Sequence, residues 1–229
     1  MTTEEKERTR AINRYNLNVA CGDEKRAALE WELCKRDPWH WIYNWVWTLD
    51  THDKKCPKKW FPDKEYIKRF VEVYQKEDLL LVPKSRQMML TWICVSLFLH
   101  EAIFNNGRYL FMISKKEKDA DDLVQKRIKY IYDQLPKFMQ PKVVFTFCNA
   151  NFPDNNCVIH GFPQGADQIR SQTASTVLVD EAAFQPEAES TYEAIKPSID
   201  GGGKIIMISS ANPGFFERLV NDKTEMADK

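Results

Sequence analysis

The sequence predicts an α/β fold: a mainly parallel central sheet flanked by helices and preceded by a helical N-terminal arm. Two observations carry this. From residue 79 onward, six apolar runs of strand length, at 79–82, 109–113, 143–147, 158–160, 176–179 and 205–208, are separated by stretches with helical patterning. That alternation is what builds parallel sheets. Several of the runs are apolar at every position, without the polar alternation of a half-exposed strand, so both faces of the sheet are expected to be covered. At 229 residues and 43% hydrophobic, the chain suffices for one large domain with an appended arm. The boundaries are drawn at residues 1–60 for the arm, packed as a lid, and 61–229 for the core.

Within the arm, Asp23 is placed to cap a helix through E-K-R-A-A-L-E-W-E-L-C, and Asp37-Pro38 breaks it. The run W-H-W-I-Y-N-W-V-W then gathers Trp39, Trp41, Trp45 and Trp47. Stacking on nucleic-acid bases normally comes with Lys or Arg between the aromatic residues; here there is none, and burial is the expected role. His52 and Cys56, four apart, share a face if that segment is helical, but two ligands without a second pair do not make a metal site. The six cysteines form no C-x-x-C pair, which points to free thiols in a reducing compartment. In the core, Ser114-Lys115-Lys116-Glu117 reads as a capping box that opens a helix to about Leu135. Ala120, Leu123, Val124, Ile128 and Ile131 form its apolar stripe.

Lys plus Arg equals Asp plus Glu at 33 each, so no global field draws the protein to nucleic acid or to a membrane, and any DNA contact must be local. No apolar run reaches the roughly 18 to 20 residues of a membrane span, and the opening M-T-T-E-E-K-E-R is too charged for a signal peptide. An intracellular protein with no membrane partner is expected.

Three segments carry chemistry. V-P-K-S-R-Q-M-M-L-T-W joins an apolar strand to an apolar helix. Aligned on G-x-x-x-x-G-K-[ST] with Thr91 last, it has Lys84 first, Ser85, Arg86, Gln87 and Met88 next, Met89 sixth and Leu90 seventh, so both glycines and the usual lysine are missing. The architecture survives: a helix N-terminus offers unpaired N–H groups and a partial positive charge to phosphate whatever the side chains. Thr91 can offer its hydroxyl to Mg²⁺, and Lys84 can reach over the phosphates from the loop's other end. The second segment, S-T-V-L-V-D-E-A-A-F, places Asp180 and Glu181 at the C-terminal end of an apolar strand, where open α/β sheets bind ligands. In a Mg²⁺-nucleotide site the first carboxylate orients the metal and the second polarises the attacking water. The third, K-I-I-M-I-S-S-A-N-P, ends a buried strand in Ser209, Ser210 and Asn212, side chains that can hydrogen-bond a γ-phosphate or the attacking water.

In this order, the segments resemble the large terminase subunits, the packaging motors of tailed bacteriophages, and specifically their N-terminal ATPase domain. The likeness runs from about Asp37 to Pro213 and is most specific in K-S-R-Q-M-M-L-T-W. It implies a P-loop NTPase fold of the additional-strand, catalytic-glutamate type, Mg²⁺-dependent ATP hydrolysis and translocation of double-stranded DNA. The implied partners are the portal protein, the small terminase subunit and further copies in a ring, all in the host cytoplasm. By the same resemblance, Lys84 replaces the missing lysine, Arg86 senses or stabilises the γ-phosphate, Asp180 with Thr91 holds Mg²⁺ and Glu181 is the catalytic glutamate. Residues 209–212, with Ser210 and Asn212 among them, match the coupling motif. Arg170 in D-Q-I-R-S-Q stands where some members place an arginine finger.

Two departures stand out. F-P-D-K-E-Y-I-K-R-F contains no glutamine of the kind that reads adenine in the family, and Gln75 is the nearest one. The family's C-terminal nuclease domain is not expected in the seventeen residues after Asn212, so no DNA cleavage is expected. The rival readings are a helicase-like ATPase, which needs a second lobe, and a nucleotide-binding scaffold that has lost catalysis.

Overall fold

The computed structural model describes residues 3–20, 22–165, 169 and 173–227. The chain begins with α1 (Thr3–Ala20), α2 (Glu24–Arg36) and α3 (Pro38–Trp45). Asp23 caps α2 by accepting from the Lys25 amide. Asp37 ends α2 and starts α3: its amide donates to Leu33 O while its carboxylate accepts from His40 N, with Pro38 at the first helical position. Trp41 and Trp45 are buried in one apolar cluster with helix α5 of the core, which gives these tryptophans a packing role.

Residues 1–60 are not all helical. Trp47–Leu49 (β1) and Lys58–Trp60 (β2) form an antiparallel pair in which Trp47 faces Trp60 and stacks on it; cross-strand aromatic pairing of this kind outweighs a weak local helical pattern. His52 and Cys56 lie in the turn between these strands, so they share no helix face.

Next come α4 (Glu65–Lys76), β3 (Leu79–Pro83), α5 (Leu90–Phe104), β4 (Tyr109–Ser114), α6 (Glu117–Asp122) and α7 (Lys129–Gln134). The second half holds β5 (Val144–Thr146), β6 (Asn149–Phe152), β7 (Cys157–Pro163), β8 (Thr176–Asp180), α8 (Ala188–Ile195), α9 (Pro197–Asp200), β9 (Lys204–Ser209) and α10 (Phe215–Ala227). The main sheet runs β3-β9-β8-β4-β7-β6-β5. Its first five strands are parallel, and β6 and β5 are antiparallel additions.

The continuous apolar runs are explained by two apolar layers. Leu80, Leu110, Met112, Leu178, Ile206 and Ile208 point into the layer with α3, α4 and α5, while Phe111, Ile113, Val177, Val179, Ile205 and Met207 point into the layer with α8 and α10. Alternate residues face opposite sides of a strand, so a strand covered on both sides is apolar throughout. Helix α5 is apolar all round for the same reason: it lies between the sheet and α3, α4 and the helix after β4.

The capping box at Ser114 does not form. Ser114 remains in β4, paired with Pro163, and α6 starts only at Glu117 with no side-chain cap. The helix does run to Gln134, but residues Leu123–Ile128 are a π-helical stretch between α6 and α7. Gly161 on β7 permits close packing here, since a Cβ would stand 2.8 Å from the Ala120 carbonyl oxygen. Among the described residues, no helix is long and apolar enough to cross a membrane.

Candidate active site

Parallel pairing brings the three motifs together. Strands β3, β9 and β8 are neighbours pointing the same way, with Pro83 paired to Ser209 and Asp180 to Ile208. The loop after β3, the carboxylates after β8 and the polar end of β9 therefore emerge at one edge of the sheet. β9 sits between the loop-bearing and the carboxylate-bearing strands.

Lys84 Nζ donates to Glu181 Oε1 at 2.7 Å, across 97 residues of chain. The lysine side chain is only 7% exposed and that of the glutamate 45%, so the ion pair is shielded on its lysine side and reaches solvent on its glutamate side. Ser210 donates to the other oxygen of Glu181 from its hydroxyl at 3.3 Å and more weakly from its amide. Burial alone would raise the Glu181 pKa. The Lys84 hydrogen bond and charge, with those of Ser210, outweigh it and hold the carboxyl below its usual range.

Asp180 behaves in the opposite way. It is buried, and its Oδ1 accepts from Thr91 Oγ1 at 3.1 Å. Burial raises its pKa, Glu181 adds repulsion, and the charges of Arg127 and Lys84 with the Thr91 bond only partly oppose this. A buried carboxylate held this way gains most from a cation. The donors suit magnesium: both are hard oxygens, and 3.1 Å is close to the roughly 3.0 Å between adjacent ligands of an octahedron with 2.0–2.1 Å bonds.

The loop replaces its glycines at a conformational cost. Met89, in the place of the second glycine, has φ +57°, and Gln87 has φ +62°, the left-handed region that disfavours side chains by about 1–2 kcal/mol. Met89 offsets part of this by packing on the apolar core; Gln87 is exposed and does not. Leu90 points into the core, so only its backbone can meet a ligand. Ser85 and Arg86 are exposed on the loop. Met88 is half-buried, and its carbonyl accepts from the Tyr66 hydroxyl.

The end of β9 braces the carboxylate turn. Ser209 is fully buried; its carbonyl accepts from the Lys84 amide at 2.8 Å and its hydroxyl from Ala183 N at 3.0 Å. Asn212 Nδ2 donates to Ala183 O at 2.8 Å. These two side chains are engaged by the turn that carries Glu181, itself at φ +51°, and Ser210 alone of the three touches the carboxylate. Arg170 lies outside the described residues. Gln75 is exposed on α4, and it does not line the apolar cavity of about 390 Å³ between α4, β3 and the loop, whose wall includes Tyr66, Phe70, Val73, Met88 and Lys84.

Sequence reading missed Arg127. It lies in the π-helical stretch, its guanidinium 5.5 Å from the Trp92 ring centre, and Trp92 directly follows Thr91. Burial lowers its pKa, while the charges of Asp180, Asp122 and Glu181 oppose that. One arginine in Q-K-R-I has no local signal that separates it from a solvated helix face.

Fold and site together define an α/β domain with a mainly parallel sheet, in which a strand-to-helix loop and a strand-end carboxylate pair meet. No protein-family model matches the chain. Among solved structures it is similar to the large terminase of bacteriophage HK97 (12% identity, 85% of this chain and 42% of that one, TM-score 0.64). It is likewise similar to an arginine-to-alanine variant of the large terminase ATPase domain of Thermus phage P74-26 (16% identity, 68% of each chain, TM-score 0.55). A third is the large terminase of a thermophilic bacteriophage (15% identity, 65% of this chain and 39% of that one, TM-score 0.51). The chain shares the fold of these phage terminase ATPase domains.

Proposed function

We propose that this chain is an ATP-hydrolysing motor domain of the large terminase class, which couples Mg²⁺-dependent hydrolysis to movement of double-stranded DNA into a procapsid. The observation that carries the reading is the meeting of Lys84 with Glu181 and of Thr91 with Asp180 at one edge of a parallel sheet. Thr91 and Asp180 would hold Mg²⁺, which neutralises phosphate charge. The Lys84 ammonium turns from Glu181 to the phosphates when a triphosphate enters, and Glu181 is then free to accept a proton from the attacking water. Ser210 keeps the carboxylate oriented meanwhile. Because Ser209 and Asn212 grip the turn after Asp180, a shift of Glu181 pulls on the end of β9, a mechanical route from phosphate state to the rest of the domain.

Arg86 is exposed on the loop and free to swing onto the γ-phosphate. With Arg170 it supplies charge around the transferring group, Arg170 toward a neighbouring subunit in a ring on the portal. Residues 1–60 serve as an arm packed on this motor, and the small terminase subunit is a further partner of the assembly.

Replacing Glu181 with Gln is expected to lower ATP turnover by about 10²- to 10⁴-fold while Mg·ATP still binds. Equal rates in parent and variant would remove Glu181 from the mechanism. Nucleotide binding with no turnover in the parent, even at high protein concentration, would favour a scaffold that has lost catalysis.

A further inference from the structure

Arg127 is the described cation at the site that the mechanism above does not use. Its surroundings are unusual for a structural arginine. It sits in the π-helical stretch Leu123–Ile128, a geometry found in well under 1% of residues and recurrent at functional sites. The extra residue per turn changes the direction of the side chains that follow, and this stretch packs against α5 and β7. The guanidinium lies beside Trp92, in the first turn of α5 and next to Thr91. Its Nη1 is buried and, among the described residues, has no hydrogen-bond partner. The carboxylates whose charge it feels, Asp180, Asp122 and Glu181, are otherwise engaged: Asp180 with Thr91, Glu181 with Lys84, Asp122 with Lys126.

A buried donor on a charged group is costly to leave unmade. A fold keeps such a group when something that binds completes it, and what completes a guanidinium is an oxyanion. We propose that Arg127 is a phosphate-binding residue of this same site, acting from within the chain, and that its unpartnered Nη1 donates to the terminal phosphate of a bound nucleoside triphosphate. This rests on the nucleotide reading above. It adds a second γ-phosphate contact from within the chain, distinct from Lys84 and Arg86 on the loop and from Arg170. A guanidinium in that place favours triphosphate over diphosphate and stabilises charge developing on the transferring group.

Calorimetry on the full chain with Mg·ATPγS and with Mg·ADP tests it, for the parent, Arg127→Gln, Arg127→Lys and, as reference, Lys84→Ala. The expected result is a loss of about 10- to 100-fold in ATPγS affinity for Arg127→Gln, a change under threefold for ADP, and partial recovery in Arg127→Lys. Equal losses for the two nucleotides, or no loss, would overturn the proposal, because an arginine that merely balances Asp180 does not distinguish them. Should Arg127→Gln fail to fold by circular dichroism, Arg127→Lys carries the same comparison, since a compact ammonium cannot reproduce the fork; identical ratios in Arg127→Lys and parent would then overturn it. If the parent binds neither nucleotide, the nucleotide reading falls and takes this one with it. Parent binding that is abolished by Lys84→Ala but indifferent to Arg127 leaves the site standing and removes only Arg127.

Discussion

Two carboxylates, each almost fully buried, are pushed in opposite directions. Glu30 in α2 is 4% exposed and Asp180 at the end of β8 is 8% exposed. Burial raises both pKa values, and for both it is the largest influence. Yet Glu30 ends below its ordinary value and Asp180 above it. The difference lies in the partners. Glu30 Oε1 accepts from Trp45 Nε1 at 2.7 Å, meets His40 Nε2 at 2.8 Å and receives a weaker bond from Cys34 Sγ at 3.4 Å, so its charge is answered within the fold. Asp180 has one neutral hydroxyl and the more distant charges of Arg127 and Lys84. Glu30, Cys34 and His40 are also close enough to resemble a metal triad, but the Trp45 indole already occupies the carboxylate oxygen, as befits a network that locks α2 onto α3. A satisfied buried charge holds a fold together; an under-satisfied one is where something else is meant to bind.

That contrast can be broken by mutation. The largest expected effect is Glu30→Ala, which orphans the Trp45 indole and leaves a cavity: a loss of about 2–4 kcal/mol in denaturant unfolding, with nucleotide affinity per folded molecule unchanged. A shift in that affinity would mean the arm communicates with the site.

Asp180→Asn should do the reverse, melting no lower than the parent while weakening Mg²⁺-nucleotide binding by tenfold or more, read by calorimetry with and without Mg²⁺. The pH dependence sharpens this pair. Glu30, held below 4.5, contributes stability that is present above that pH and lost as pH falls through its lower folded value. Asp180, held above 3.8, costs stability that grows as pH rises from 3.8 to its folded value. Asp180→Asn should therefore remove a loss on raising the pH, and Glu30→Ala should flatten the acid limb.

The smallest effect is expected at the loop. Gln87→Gly releases an exposed left-handed residue and should stabilise by about 1 kcal/mol after the entropy of the added glycine is counted. Met89→Gly should gain less, because Met89 also packs on the core. Equal gains by thermal melting would mean that packing contributes nothing.

The parallel strands were legible because their signal is local: a run buried on both faces must be apolar throughout, and five of the six runs became β3, β4, β7, β8 and β9, while the sixth, at 143–147, became the partly exposed antiparallel strand β5. The strand β6, N-A-N-F, was not, since its pairing with β5 and β7 rests on neighbours that a short polar run does not announce. β1 and β2 were hidden for the same reason. The capping pattern at Ser114 misled, because strand pairing with β7 held that serine in the sheet.

What the sequence determined by itself was the set of chemical groups and their order along strand ends, since strand length, apolar runs and terminal Lys84, Asp180, Glu181 and Ser210 are all local properties. Only the tertiary structure decided how those groups meet: that β9 lies between β3 and β8, that Ser209 and Asn212 grip the turn carrying Glu181, and that Arg127 of the π-helical stretch lies beside Trp92. The physical reason is that hydrogen-bond partners and burial are properties of neighbours far apart in the chain. A side chain's type limits what it can do, and its surroundings choose among those possibilities.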